Sequence, residues 1–216
     1  SLTYGSYNTL NADTGLWLKS KNGSWRVTTS FNQTDGDYTF TNNNGTEFNP
    51  DDDYEDTRRN NDKEAWNAGV WFKEALGRDL ELTGNFEGYQ DDKGIPGLIT
   101  FPSEHAEQED ERLSGRLRLE QTWPGSSAAH VFAEISGKYQ TLEFRDPLGE
   151  QTGVPVFTDQ TTRQFGGRAG LDFYHEKGSA GITAMFERES LDDEMFGEPE
   201  RDTLAVSARS DVSLLE

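Results

Sequence analysis

The sequence predicts an all-β fold, an antiparallel up-and-down meander of about ten strands. Two observations carry this. Apolar and polar residues alternate with period two along nearly the whole chain, and compact turn-forming clusters separate the alternating segments. Helical periodicity is scarce.

In chain order, Tyr4–Thr9 and Leu16–Lys21 read as the first strands. Trp25, Val27, Thr29 and Phe31 then share one face, with Arg26, Thr28 and Ser30 on the other. Ala68, Val70 and Phe72 repeat the pattern, followed by Leu80, Leu82, Gly84 and Phe86. Leu113, Gly115, Leu117 and Leu119 oppose Arg112, Ser114, Arg116 and Arg118. Val131, Ala133, Ile135, Gly137 and Tyr139 come next, then Phe165, Gly167, Ala169, Leu171 and Phe173. The last two segments are Ala180, Ile182, Ala184, Phe186 and Leu204, Val206, Ala208.

The connections alternate between tight and long. Residues 22–23, 77–79, 124–127 and 177–179 read as tight turns, and Asn22-Gly23 suits a type I′ hairpin with positive φ at both positions. Residues 35–63, 90–110, 145–160 and 190–201 read as long loops, although loops beyond about 12–15 residues are uncommon in compact domains. Tight turns on one side and large loops on the other characterise an outer-membrane β-barrel. Strand length points the same way: Ala129–Phe144 and Thr162–Tyr174 reach the roughly 9–11 residues that a tilted membrane strand needs. Mid-strand charges (Arg116, Arg118, Glu120, Glu134, Lys138, Arg168, Asp172) suit a wet interior, and the apolar stripes suit lipid. Aromatic residues near strand ends, among them Trp17, Trp25, Trp66, Tyr89, Trp123 and Phe173, suit interfacial girdles. The whole chain, 1–216, thus reads as one barrel segment.

Composition narrows the function. Forty acidic residues against 20 basic ones give a net charge of −20, which repels phosphate backbones and argues against nucleic acid as a partner. Without cysteine there is no disulfide framework, thiol nucleophile or cysteine metal site. No hydrolase elbow, P-loop or G-x-G-x-x-G occurs, so no catalytic residue is assigned and the chain reads as a non-enzyme.

Several segments resemble TonB-dependent outer-membrane receptors, specifically a vitamin B12 receptor-like subgroup. They are Tyr4–Thr9, Gly36-Asp37-Tyr38, Asn42–Pro50, Thr57–Asp62, Asp91–Gly97 and Phe101-Pro102, in order and with similar spacing. The resemblance implies a bacterial outer-membrane location and energy-coupled uptake of a scarce nutrient, a metal chelate or corrinoid. Lipid would surround the barrel, and TonB would engage only through a plug. Such barrels have about 22 strands and a plugged lumen; this chain is expected to be a partial barrel without the plug.

Recognition is expected in the loops, since loops on a rigid scaffold usually carry it. Tyr38, Phe40, Phe48, Tyr54 and Phe101 offer stacking surfaces, and Arg58 and Arg59 offer contacts for anionic groups. Asp51, Asp52, Asp53, Glu55 and Asp56 crowd carboxylates that a hard cation such as Ca2+ would relieve, with Asp35 and Asp37 nearby. The resemblance adds that calcium orders extracellular loops in some B12 receptors. An acidic run is also an ordinary solvated surface. A second reading of the whole chain is a soluble, exported all-β binding or adhesion module, calcium-binding or not.

Overall fold

The computed structural model describes residues 1–46, 48–99, 101–124, 127–194 and 197–212. The strands are β1 (Leu2–Tyr4), β2 (Leu10–Lys19), β3 (Gly23–Thr34), β4 (Tyr38–Asn42), β5 (Tyr54–Arg58), β6 (Lys63–Ala75) and β7 (Leu80–Gly94). After these come β8 (Gly97–Leu98), β9 (Phe101–Pro102), β10 (Glu107–Trp123), β11 (Ser127–Asp146), β12 (Val156–His175), β13 (Gly178–Asp193) and β14 (Glu200–Val212). Ten of them form one antiparallel sheet in the order β1-β2-β3-β6-β7-β10-β11-β12-β13-β14, each strand beside its sequence neighbour in the sheet. The hairpins β4–β5 and β8–β9 stand apart, inside the first two long connections.

The sheet is a single layer. Strand backbones approach only their hydrogen-bonded neighbours, and among the described residues Ala65, Ala106 and Phe132 are the only buried apolar side chains. Register explains where the remaining apolar residues go. Leu18, Trp25, Phe72, Gly84, Leu117, Ile135, Gly167, Phe186 and Leu204 are successive cross-strand partners. One row therefore crosses nine strands without a polar side chain. Ile135 is 54% exposed and Leu204 78%, which water would penalise and hydrocarbon would not. On this face the Phe72 ring lies over Gly84 and the Phe86 ring over Gly115, where any Cβ would collide with them. Gly115 and Gly137, paired across β10 and β11, leave a shallow apolar depression of about 830 Å³.

The opposite face is polar. Arg26 lies between the rings of Trp17 and Trp71, at 5.1 and 5.3 Å. Further along, Glu134 accepts from Arg118 and Arg168, both at 3.3 Å, and both guanidiniums lie over the Phe132 ring. Arg118 also pairs with Glu120, and His130 bridges Glu120 and Asp172 at 3.6 Å each. Alternating signs across neighbouring strands offset the like-charge repulsion of so acidic a chain.

Several expectations need correction. Tyr4–Thr9 is not one strand: the chain turns after Tyr4, with Tyr7 and Asn8 at φ 59° and 53° and Gly5 N–H donating to Thr9 O. Asn22-Gly23 is no type I′ turn, because neither residue has positive φ. Ser20 N–H donates to Gly23 O across Lys21-Asn22, and Gly23 is required by close approach, since a Cβ there would strike Lys73 O and the Glu74 carboxylate. The tight turn at 177–179 is Glu176-Lys177, with Gly178 already in β13. Within the turn at 124–127, Gly125 and Ser126 lie outside the described residues. Strands also run deep into the supposed loops. β7 and β10 reduce 90–110 to residues 95–106, and β11 and β12 reduce 145–160 to 147–155. Trp17 and Tyr89 share the charged face with Arg26 and Arg112 and so do not belong to an apolar girdle.

Candidate functional site: the loop cluster above the sheet

The β4–β5 hairpin presents one ordered face. Tyr38 pairs with Arg58, Phe40 with Asp56 and Asn42 with Tyr54, so alternation places all six side chains on one side. Tyr38 and Phe40 are 6.1 Å apart between ring centroids, and Tyr7 meets Tyr38 edge-on at 6.1 Å. The buried Asn42 donates to the Tyr54 hydroxyl at 2.9 Å and to the Asp56 carboxylate at 3.2 Å. Four of the expected ligand-contact residues thus meet on one surface: Tyr38, Phe40, Tyr54 and Arg58. The other three do not join it. Phe48 projects from the tip, 93% exposed, and Phe101 is exposed on β9. Arg59 reaches the neighbouring loop and pairs with Glu104 at 3.3 Å.

The expected cation ligands are spread along the same connection. Asp35, at the base, accepts from Asn8 Nδ2, and Asp37 is two residues on. At the tip, Asp51 and Asp52 lie in a short 3-10 turn where Asp52 accepts from Thr46 Oγ1 at 2.7 Å, and Asp53 N–H closes the turn onto Pro50 O. Asp56 belongs to the hairpin face with Asn42. Among the described residues, no group of three or more His, Asp or Glu side chains gathers in a geometry that could hold a metal ion.

Residues 95–106 tie three loops together. Arg58 donates to Gly97 O, and Asn60 Nδ2 donates to Ile95 O and Ala106 O at 3.2 and 2.8 Å. From the other side, the Glu150 carboxylate accepts from Ser103 Oγ, Glu104 N–H and His105 N–H at 2.8, 2.8 and 2.9 Å. His105 Nδ1 completes the clasp at 3.0 Å. The imidazole and the further donors hold the Glu150 carboxyl down to about 2, and the same carboxylate raises His105 above its ordinary value. Beneath Glu150, fully buried Asp146 accepts from Glu150 and Gln151 N–H, both at 2.9 Å. Sequence patterns miss this clasp, since Glu150 and its partners lie 45 to 47 residues apart.

A second polar constellation lies on the charged face of β6, β7 and β10, at the loop end. Lys63 and Lys93 approach one oxygen of Asp91 at 3.2 and 3.9 Å, and Asp91 is only 3% exposed. Arg112 pairs with Asp110 at 3.3 Å and lies over Tyr89 at 5.7 Å. With these residues lining it, a cavity of about 380 Å³ opens beside the strands.

Comparison with solved structures places this architecture. A copper transporter, OprC, superposes with a TM-score of 0.62 at 14% identity, over 93% of this chain and 29% of its own length. The fold is part of an outer-membrane barrel. A ferric citrate transporter, FecA, in its unliganded form, superposes with a TM-score of 0.52 at 9% identity, over 93% of this chain and 32% of its own. The chain spans about a third or less of these neighbours, and identity this low establishes shared fold alone. In sequence, no family model and no curated protein matches. Among the described residues no helix is long and apolar enough to cross a membrane; strands make up the sheet.

Proposed function

We propose that the chain is a barrel portion of a TonB-dependent receptor in a bacterial outer membrane. In this reading the complete protein takes up a scarce nutrient that first meets the extracellular loops, and coupling to TonB runs through a plug. The observation that carries the reading is the apolar row from Leu18 to Leu204, backed by a charged face in a one-layer sheet. A soluble two-layer module would bury that row, which favours the barrel over the adhesion-module reading. Both named neighbours are transporters, which supports uptake over a structural role. The nutrient is a metal chelate or corrinoid, the corrinoid favoured by the sequence resemblance to B12 receptors.

Within the segment, the Tyr38, Phe40, Tyr54 and Arg58 face is the ligand-contact surface. Aromatic rings beside a guanidinium suit a flat, anionic or polarisable ligand. Phe48, Phe101 and Arg59 stand outside it, at the tip and beside the adjoining loop, and would contact the ligand only once the loops move. The Asp35, Asp37, Asp51, Asp52, Asp53 and Asp56 run serves as a Ca2+ site only if the loop rearranges to bring its carboxylates together. The test is uptake by cells carrying the complete parent protein with Tyr38, Phe40 and Tyr54 changed to Ala. Loss of labelled corrinoid or chelate uptake, with the barrel still in the outer membrane, is expected. Unchanged uptake of every nutrient the parent carries would refute the assignment of this face.

A further inference from the structure

We infer a site for an anionic lipid of the surrounding bilayer on the apolar face. Its acyl chain occupies the depression of about 830 Å³, and its phosphate meets Arg163 at the loop-side end. The inference rests on the barrel reading above, because it takes this face to meet hydrocarbon. The volume falls within the roughly 300–1,000 Å³ of small-molecule sites. Leu113 and Tyr139 form the register row nearest the loops, Gly115 and Gly137 the next, and Leu117 and Ile135 the third. From 139 to 135 the depression runs about 13 Å along the strand at 3.3 Å per residue. At Gly115 the Phe86 ring occupies the place of a Cβ. At Gly137 a Cβ would meet only Gln164 O, at an ordinary 3.7 Å, and φ is not positive. Packing therefore leaves this floor open without needing it open.

Charge carries the headgroup end. Arg163 lies opposite Tyr139 across β11 and β12 and shares the apolar face with Phe165. It is exposed and lines the depression, and among the described residues it makes no hydrogen bond or ion pair. Arg188, opposite Phe165 on β13, is already committed: it donates twice to Asp202, at 2.7 and 2.8 Å. Asp192, two residues beyond Ser190, is the carboxylate diagonal to Arg163 and forms no ion pair with it. Tyr139 ends the apolar residues of β11 on the loop side, where Thr141, Glu143 and Arg145 follow on the same face. Arg163 thus stands at headgroup depth with the depression beneath it. Guanidinium heads at such positions reach the interface, and a phosphate accepts two parallel N–H bonds from one. A zwitterionic lipid fills the same depression but brings its own cation to the phosphate. A free phosphate has no chain to bury.

The test is native mass spectrometry of the 216-residue chain refolded in detergent micelles. It is titrated with phosphatidylglycerol and with phosphatidylcholine of identical acyl chains. The first phosphatidylglycerol is expected to bind about tenfold tighter than the first phosphatidylcholine, the size of one hydrogen bond to a charged group. Arg163→Gln is expected to bring the two lipids level by weakening phosphatidylglycerol alone. Gly137→Leu keeps the charge and fills the floor, and both lipids are expected to weaken by about fourfold or more, the transfer of one buried methylene. Glycerol phosphate in roughly hundredfold excess is expected to leave the lipid bound, as a lipid site requires and a bare anion site does not. If Gly137→Leu fails to fold, the wild-type lipid ratio and the surface change Arg163→Gln decide alone. Equal affinity for the two lipids, an undiminished preference in Arg163→Gln, undiminished binding in Gly137→Leu, or displacement by glycerol phosphate would each overturn the site. Any of these results, with the same chain inserting into lipid vesicles, leaves the barrel reading standing; failure to insert removes that reading as well.

Discussion

Placing an arginine at Ile135 tests the outer-face assignment with a magnitude. On β11, Ala129, Val131, Ala133, Ile135, Gly137 and Tyr139 point to the apolar face. They span eleven residues, close to the roughly 9–11 that a tilted strand needs to cross the hydrocarbon core. In the proposed barrel reading Ala133 and Ile135 sit near the midplane and Ala129 near one interface. A lipid-facing arginine costs about 2–4 kcal/mol at the midplane and about 0–1 kcal/mol near an interface. Ile135→Arg is thus expected to lower the folded-to-unfolded ratio by roughly 30- to 1000-fold. Ala129→Arg should cost far less. Ser136→Arg, one residue along on the polar side and directly opposite Arg116, should cost no more than the roughly 1 kcal/mol of a like-charge cross-strand pair. The assay is reversible urea unfolding from lipid vesicles, monitored by tryptophan fluorescence. Equal costs at 129 and 135, or a larger cost at 136 than at 135, would refute the depth and face assignments together.

Further expectations concern the loops and the turn. The Glu150 carboxyl is held low, so its contribution to the clasp is present above its ordinary value of 4.5 and fades as pH falls toward about 2. His105 is raised, so its share is fully present below its ordinary 6.5 and is lost as pH rises through the raised value. Amide exchange corrected for intrinsic rates should show greatest protection of Glu104 and His105 between these limits, and Glu150→Gln should flatten the profile. Asp146→Ala orphans two backbone N–H groups beneath the same loop and should cost about 1–3 kcal/mol locally, read as faster proteolysis within 147–155. Gly23→Ala drives a Cβ into Lys73 O and should lower stability by about 1–3 kcal/mol in the same urea assay.

Much of the sheet was legible because each strand of the one-layer sheet carries apolar residues on one side and polar residues on the other. Leu113, Leu117 and Ile135 announce their face by spacing alone, and the register then aligns them into rows. The strand ends beyond that band were not legible. Glu107–Glu111 in β10 and Thr141, Glu143 and Arg145 in β11 are polar on faces that no core or lipid constrains, so period two disappears while the ladder continues. A 20-residue strand is about 65 Å long at 3.3 Å per residue, more than twice the roughly 30 Å hydrocarbon core, so the ladder must outrun the signal. The turn at Asn22-Gly23 misled because glycine there serves interstrand approach to Lys73 and not a left-handed backbone.

The candidate site was legible in part. Alternation along 38–42 and 54–58 brings Tyr38, Phe40, Tyr54 and Arg58 to one face once the two segments pair, which the residue types suggested and the spacing allowed. The Asp51–Asp56 run looked like one constellation, yet a 3-10 turn and a strand send its side chains to different partners. Asp91 and Glu150 are single letters in an acidic chain, and only long-range packing singles them out, one by burial and the other by converging donors.

The most direct single measurement places one cysteine, in a chain that has none, at Ile182 or at its neighbour Thr183 on the opposite face of β13. Each variant, refolded into lipid vesicles and labelled with a fluorophore, is exposed to a quencher fixed on the acyl chains. Strong quenching at 182 and weak quenching at 183 is the expected result. Equal quenching, or stronger quenching at 183, would contradict a sheet whose apolar row faces hydrocarbon.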